Sequence, residues 1–168
     1  MKKIVLALVT LIVFSCQQQK IGYVDNVKLM DAYQEKIDIE AKFKSKAEVL
    51  GKKRDSITQA YQIEAQAFQL KAQKMSQQKA QEEYGVMQQR AQFIGQQLQQ
   101  EDQALQASGQ VEMDSMVSKV KKEIEAYGKA NGYVYVLGGG EGGAVLYGTQ
   151  ANDLTDEIVK ILNDKYKK

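Results

Sequence analysis

The feature that most constrains this chain is a stretch of about one hundred residues in which apolar residues recur every three or four positions without a proline. Proline would fix φ and remove a backbone donor, so its absence from the whole chain lets helices run uninterrupted. The spacing predicts two amphipathic helices of about fifty residues each, extending on the order of 75 Å.

The two apolar stripes are narrow and rich in alanine, which is typical of two helices packed as a coiled coil with polar outer faces. The stripes can meet only if the chain reverses, and its most polar, least periodic part is residues 73–81. The sequence therefore predicts a long antiparallel helical hairpin with its tip near 73–81. The first stripe comprises Met30, Tyr33, Ile37, Ala41, Ala47, Leu50, Ile57, Tyr61, Ala65, Phe68, Ala72 and Met75, and the second comprises Tyr84, Met87, Ala91, Ile94, Leu98, Leu105, Val117, Val120, Ile124 and Tyr127.

Three glycines, Gly85, Gly95 and Gly109, lie inside the predicted returning helix. Each costs about 1 kcal/mol of helix stability relative to alanine. They either allow the hairpin to bend or are tolerated on a solvated face, and the sequence leaves both possibilities open.

The N-terminus has the pattern of a bacterial export signal. Two lysines precede a short apolar run, which falls short of the roughly 20 residues that span a membrane. Residues 13–16 (Val-Phe-Ser-Cys) are similar to a lipobox, in which the cysteine is lipid-modified after cleavage. We therefore predict a signal peptide at 1–15 and a lipidated tether at 16–20 that begins with Cys16. The alternative is an ordinary signal peptide with an incidental cysteine.

Both ends of the mature chain differ from the middle. β-Prone runs at 21–24, 133–137 and 144–147 are typical of short strands, the last two as a hairpin across a glycine-rich loop. A final helix is predicted from Thr155, with acidic residues in its first turn. The resulting three-stranded sheet and single helix would bury little apolar surface. We therefore expect several subunits to share one body.

The composition argues against an enzyme or a metal site. The chain has no histidine and one cysteine, which removes the commonest general base and the ligands of structural zinc. Adjacent acidic residues, Glu82-Glu83 and Glu101-Asp102, point in different directions on a helix and cannot face one substrate. The net charge of +2 comes from two lysines in the predicted signal peptide, so the mature chain is neutral. No cofactor, metal, nucleic acid or small-molecule substrate is expected.

Three segments resemble the Skp/OmpH family of periplasmic chaperones, and the resemblance extends over nearly the whole mature chain. They are IGYVDNVKLMDAY at 21–33, VMQQRAQFIGQQLQQ at 86–100 and YVYVLGGGEGGAVLYGTQANDLTDEIVKILN at 133–163. The last is the most specific, because two strands lead after a fixed interval into an Asp-Leu-Thr-Asp-Glu helix start. Family members are often soluble and strongly basic, whereas this chain is predicted to be lipid-anchored and neutral.

The resemblance implies an α+β fold. A long antiparallel helical hairpin (tentacle) at 34–130 would extend from a small β-sheet body at 21–33 and 131–168 that trimerises into a β-barrel and carries a C-terminal helix. It implies an ATP-independent holdase that binds unfolded outer-membrane proteins in the periplasm and prevents their aggregation. The lipid would anchor this chaperone domain, 21–168, to a membrane of a Gram-negative bacterium, and we expect the periplasmic face of the outer membrane.

Candidate client contacts are apolar residues in the distal half of the hairpin. Leu70 and Phe93 lie off the stripes and are the better candidates. For residues on the stripes, packing the two helices together is the favoured role. A competing hypothesis is a lipid-tethered coiled-coil spacer of the cell envelope, which explains the anchor and the rod but not the C-terminal sheet and helix. The stripe candidates are Phe68, Met75, Tyr84, Met87 and Ile94.

Overall fold

The protein divides into two compact units. A computed structural model describes residues 19–167. One unit, called the body here, combines the described residues up to Glu35 with those from Val117 onward, and the other, called the hairpin unit, is Lys36–Met116. The last part of the returning helix therefore clusters with the body, whereas the sequence placed the boundary at 130. The predicted signal peptide and Cys16 lie outside the described residues.

The body contains a two-stranded parallel sheet. Strand β1 (Lys20–Asp25) pairs with β2 (Tyr133–Gly139), in a register that runs from Ile21↔Tyr135 to Asp25↔Gly139. Parallel neighbours need a long crossover connection, and here the whole helical excursion supplies it.

The predicted strand at 144–147 and its antiparallel hairpin are wrong for the described residues. Only an isolated bridge, Gly139↔Val145, forms there. A tight turn, in which Gly143 N–H donates to the Gly140 carbonyl at 3.0 Å, precedes this segment. Beyond the turn the segment bonds to the edge of β2 at this one point, where Val145 N–H donates to the Gly138 carbonyl at 3.2 Å.

The first long helix is interrupted near its start, where the sequence predicted continuity. Asp25 caps α1 (Asn26–Ala32) by accepting from the N–H groups of Val27 and Lys28 at 3.0 and 3.1 Å. Tyr33 then takes an extended conformation (φ −82°, ψ 116°), and α2 runs from Gln34 to Ala72.

Asn163 satisfies the backbone groups that this interruption frees. Its side-chain oxygen accepts from Gln34 N–H at 2.8 Å, and its side-chain nitrogen donates to the Ala32 carbonyl at 3.0 Å. One amide therefore closes the end of α1 and the start of α2, where helix ends otherwise leave unpaired donors and acceptors.

The core of the body forms where the C-terminal helix α4 (Thr155–Tyr166) meets β1 and α1. Leu154 N–H donates to the Tyr23 carbonyl at 2.8 Å, and Thr155 Oγ1 accepts from Asp25 N–H at 2.9 Å. Gly22 allows this approach, because a Cβ there would lie 2.5 Å from the side chain of Leu154. The buried apolar residues of this core are Val24, Leu29, Tyr33, Leu154, Ile158 and Leu162.

The hairpin unit consists of the greater part of α2 and of α3 (Gln77–Ala130), joined by residues 73–76. Ser76 Oγ accepts from Lys79 N–H at 3.4 Å and so caps the start of α3. The break falls inside the polar stretch 73–81.

The first turns of the predicted stripe are wrong by two positions. Ile37 and Ala41 are exposed, whereas Ile39 is buried and Phe43 is half-buried. The reason is the interruption at Tyr33, since an extended residue resets the helical phase and a stripe extrapolated through it points elsewhere. Farther along, the stripe members from Leu50 to Ala72 are half-buried, as their spacing predicts.

Candidate interaction surface

Five ion pairs set the register of the two helices in the hairpin unit. As the residue on α2 advances from Lys42 to Lys71, its partner on α3 falls back from Glu112 to Glu83 by the same number of residues, which is an antiparallel arrangement. The pairs are Lys42–Glu112 (2.6 Å), Lys53–Glu101 (2.7 Å), Arg54–Asp102, Glu64–Arg90 and Lys71–Glu83 (3.0 Å).

Four of these pairs lie on one side of the contact between the helices. An α-helix turns by about 100° per residue, so the side chains of Lys53 and Arg54 point to opposite sides of the line of contact between the helices. Lys53, Glu64 and Lys71 share one side of α2, and with Lys42 they form what we call the ion-pair ladder. Arg54–Asp102 lies on the other side.

The acidic neighbours that might suggest a catalytic dyad are separated by their partners. Glu101 pairs with Lys53 and Asp102 with Arg54, while Glu83 pairs with Lys71 and Glu82 accepts from Gln78. These carboxylates therefore point in different directions. Among residues 19–167 no group of three or more acidic, histidine or cysteine side chains is placed to hold a metal.

The stripe residues named as candidate contacts pack between the two helices. Met87 is only 9% exposed, and Phe68, Met75 and Ile94 are half-buried. Tyr84 stacks on Phe68 with 6.1 Å between ring centroids. Apart from Tyr84, which is 47% exposed, these residues keep little surface outside the interior of the hairpin unit.

The two off-stripe candidates lie in the open. Leu70 is 69% exposed and Phe93 is 67% exposed. Sequence reasoning missed four further exposed apolar residues of the hairpin unit: Val49, Ile63, Val86 and Val111. The signal that could have found them is spacing, since Ile63 and Leu70 are seven residues apart, as are Val86 and Phe93, and seven residues make nearly two full turns.

A groove lies between the helices in the distal part of the hairpin unit. It has a volume of about 440 Å³ and an apolar lining that includes Ala67, Phe68, Val86 and Met87. The ion pairs Glu64–Arg90 and Lys71–Glu83 also line it. The groove is open to solvent and offers apolar surface between paired charges.

A polar cluster surrounds Glu35, in the first turn of α2 within the body. Glu35 accepts from Tyr33 Oη and from Lys119 Nζ, each at 2.5 Å. Burial alone would raise the pKa of Glu35, but the bonds from Lys119 and Tyr33 outweigh it and lower that pKa. Burial and the bond to Glu35 raise the pKa of Tyr33.

The pKa values of Tyr127 and Asp153, which also lie in the body, depart from their ordinary range. The hydrogen bond to Glu157 raises the pKa of Tyr127 to about 12. Burial would raise the pKa of Asp153, but the bonds that it accepts from Thr155 lower it. These bonds keep Tyr127 protonated and Asp153 ionised near neutral pH.

The sheet of the body leaves apolar surface uncovered in the single chain. Leu146 is 98% exposed and Tyr147 86%, and both line an open groove with Ile21 and Leu137. Val134 and Tyr135 are also exposed. An apolar patch of this kind is typical of a surface that another subunit covers.

No helix within residues 19–167 is long and apolar enough to cross a membrane.

Comparison with known proteins found a family and a fold. The sequence model of the family described as "Outer membrane protein (OmpH-like)" matches residues 20–162, which is most of the chain. No curated protein matched the chain. The crystal structure of a proposed outer membrane chaperone (OmpH-like) from Caulobacter crescentus superposes with a TM-score of 0.78 at 16% identity, covering 88% of this chain and 85% of the other. The α+β fold with long helices and a small sheet is therefore shared.

Proposed function

This chain belongs to the OmpH-like family, and we propose that it is a periplasmic chaperone that holds unfolded outer-membrane proteins and prevents their aggregation without ATP. The observation that carries this proposal is the exposed apolar surface of the hairpin unit, where Leu70 and Phe93 reach into solvent beside an open groove. A purely structural spacer would have no use for large apolar side chains on its outer surface, because they promote association.

The physical mechanism is many weak contacts made from several arms at once. Each exposed side chain contributes little alone, but linked sites act at a high effective concentration and add avidity. Such binding does not need a shaped pocket and tolerates many client sequences. It also does not need a catalytic group, which agrees with the pairing of every acidic residue considered above.

Three copies of the body would supply the arms. We propose a homotrimer in which the uncovered sheet surfaces at Ile21, Leu137, Leu146 and Tyr147 pack together. A two-stranded sheet with open edges is marginally stable in water, and shared strands remove that weakness. Light scattering should give three times the chain mass, and Leu146→Glu should lower it, whereas Glu141→Gln in the same loop should not. A monomer that persists at micromolar concentration would contradict the assembly.

The lipid on Cys16 remains a proposal, since that residue lies outside the described part. Anchoring at the periplasmic face of the outer membrane would place the chaperone where its clients are inserted. Cys16→Ala should abolish labelling by a palmitate analogue and release the protein from the membrane fraction. Unchanged partitioning would contradict the anchor.

The chaperone proposal is tested by aggregation of a denatured client. A urea-denatured outer-membrane β-barrel protein is diluted into buffer with the mature chain, at one trimer per client, and turbidity is followed. We expect clearly reduced turbidity and no effect of ATP. Unchanged aggregation would contradict the holdase and favour the envelope spacer.

A further inference from the structure

The six large apolar residues of the hairpin unit that are more than 60% exposed lie on one side. Ile63 and Leu70 directly precede the ladder residues Glu64 and Lys71 on α2, so they sit just outside the ladder on its own side. Val49 is on the same side, since 49, 63 and 70 are separated by multiples of seven. We call these three, together with the matching residues of α3, the apolar face.

The matching residues on α3 follow from the same ladder. Val86 and Phe93 come three residues after Glu83 and Arg90, and positions three apart are neighbours on a helix surface. Val111 lies eighteen residues after Phe93, which is five whole turns, and so shares its direction. Ala67 on α2 and Val86 on α3 both line the groove. The groove therefore opens on the same side of both helices, and this is the side of the apolar face.

The other side of the hairpin unit is polar. Four of the six apolar residues directly follow a glutamine, and a residue one position earlier on a helix points about 100° away. Each of these glutamines therefore points to the side of the hairpin unit on which the Arg54–Asp102 pair lies. All of these glutamines are exposed. The set that we call the glutamine face is Gln62, Gln69, Gln88, Gln92, Gln99, Gln106 and Gln110.

The charge around the groove indicates what would bind. Three carboxylates (Glu64, Glu82 and Glu83) and two cations (Lys71 and Arg90) border it, and the cations are already paired. The groove therefore has apolar walls and one excess negative charge. An acidic or anionic partner would be repelled, while an apolar segment flanked by lysine or arginine would be accepted.

We infer that the client is held on the apolar face alone, as an extended polypeptide segment whose aliphatic and aromatic side chains enter the groove between the Glu64–Arg90 and Lys71–Glu83 pairs. These pairs lie seven residues apart, or about 10 Å. That spacing accommodates a few residues of an extended strand, which advances about 3.3 Å per residue. The glutamine face stays in water. This inference rests on the proposed chaperone function and adds to it the binding side and the partner chemistry.

The test compares adjacent positions, of which one lies on the apolar face and the other on the glutamine face. A benzophenone amino acid replaces Phe93 in one full mature protein and Gln92 in another, and Leu70 and Gln69 form a second pair. Each protein is mixed with the urea-denatured β-barrel client, checked for suppression of turbidity and then irradiated. We expect client adducts at 93 and 70 to exceed those at 92 and 69 by about tenfold.

Other results would overturn the inference in distinguishable ways. Equal adducts on both faces, or none on either, while turbidity is still suppressed would refute the sidedness and leave the chaperone function standing. Loss of suppression in the unsubstituted protein would refute both. Adducts of two copies formed without client would mean that another hairpin covers the apolar face, and adducts to anionic lipid vesicles in preference to client would mean that it binds membranes.

Affinity provides the second measurement. The double variant Ile63→Gln, Phe93→Gln should bind the client about tenfold more weakly, which corresponds to roughly 1.4 kcal/mol. Gln62→Ala, Gln92→Ala is the matched control and should change binding by less than about twofold. Because both apolar residues are exposed, circular dichroism should show unchanged helix content. Equal loss in the two double variants would contradict the inference.

Discussion

The body and the hairpin unit of this protein bury their apolar residues very differently. In the described part of the body, seven large apolar side chains are buried, including Leu29, Ile158 and Leu162. In the hairpin unit only three are buried, Ile39, Met87 and Met116. The body thus has a small core closed by specific hydrogen bonds, whereas the hairpin unit has a thin interior of half-buried residues.

The proposed chaperone function requires two tasks, assembly and holding, and this difference would assign one to each unit. A dense core with satisfied polar groups gives a defined structure, which suits an assembly platform. The hairpin unit buries few apolar residues, and its ion pairs are exposed, so local opening of the two helices should require little free energy. The ion-pair ladder stabilises it little, since each exposed pair contributes at most about 1 kcal/mol.

Removing a buried side chain from the body should produce the largest effect. Ile158 is fully buried, so Ile158→Ala removes packing and leaves a cavity, and we expect a loss of about 2–5 kcal/mol in the free energy of unfolding. Ile63→Ala is the matched change in the hairpin unit. Ile63 is 62% exposed, so this variant should lose less than about 0.5 kcal/mol. Urea denaturation at fixed protein concentration measures both, and equal losses would remove the contrast between the two regions.

The amide that closes the interruption at Tyr33 should come next. Asn163→Ala removes the bonds that its side chain makes to Gln34 N–H and to the Ala32 carbonyl. Because both bonds are exposed and water can take the place of the amide, we expect a loss of about 0.5–1.5 kcal/mol. Asp164→Ala, one position along the same exposed turn, serves as the control. If the two variants melt together, the interruption does not depend on Asn163.

Acid should weaken the body through Glu35. Its pKa is lowered below the ordinary value of 4.5 in the folded state, so the folded protein binds the proton less readily than the unfolded chain. Its contribution to stability is therefore complete above about pH 4.5 and is lost as the pH falls through the lower folded pKa. In the Glu35→Gln variant the urea midpoint should depend less on pH between about pH 5 and about pH 3 than in the wild type. In the Glu48→Gln variant, changed in the hairpin unit, this dependence should match the wild type.

The glycines of α3 should give the smallest effect. A Cβ on Gly95 would meet nothing within 4 Å, and one on Gly109 would lie 3.4 Å from the Phe43 ring, which is ordinary contact. Both Gly95→Ala and Gly109→Ala should therefore stabilise the hairpin unit by up to about 1 kcal/mol. Hydrogen exchange of α3 measures this. If holding of the client falls as protection rises, the glycines serve to let the hairpin bend.

Much of the fold could be predicted from the residue pattern, and its errors have physical causes. Helical periodicity located the two long helices, and the polar stretch at 73–81 contains the break between them. The pattern could not show that Tyr33 is extended, because the stabilising group, Asn163, is 130 positions away. It also predicted a strand at 144–147 from apolar β-prone residues, whereas in the structure that segment forms only an isolated bridge, from Val145 to Gly139.

The candidate surface could be predicted only in part. Leu70 and Phe93 are candidates because they lie off the stripe, and the structure shows that both side chains are exposed; their contact with a client stays a prediction. That they share one side with Ile63 and Val86 depends on the pairing of Glu64 with Arg90 and of Lys71 with Glu83. A single helix pattern does not contain this information, since it requires the register between two helices.

The most direct test of whether the hairpin unit does the holding is to shorten it without changing its register. Residues 55–72 and 77–94 are deleted and residues 73–76 are kept as the turn. Each deletion removes eighteen residues, or five whole turns, so the pairs Lys42–Glu112 and Lys53–Glu101 keep their partners and directions. We predict that this variant keeps the assembly state of the intact protein but no longer suppresses aggregation of the denatured β-barrel client. Suppression equal to that of the intact protein would contradict the assignment of client holding to the hairpin unit.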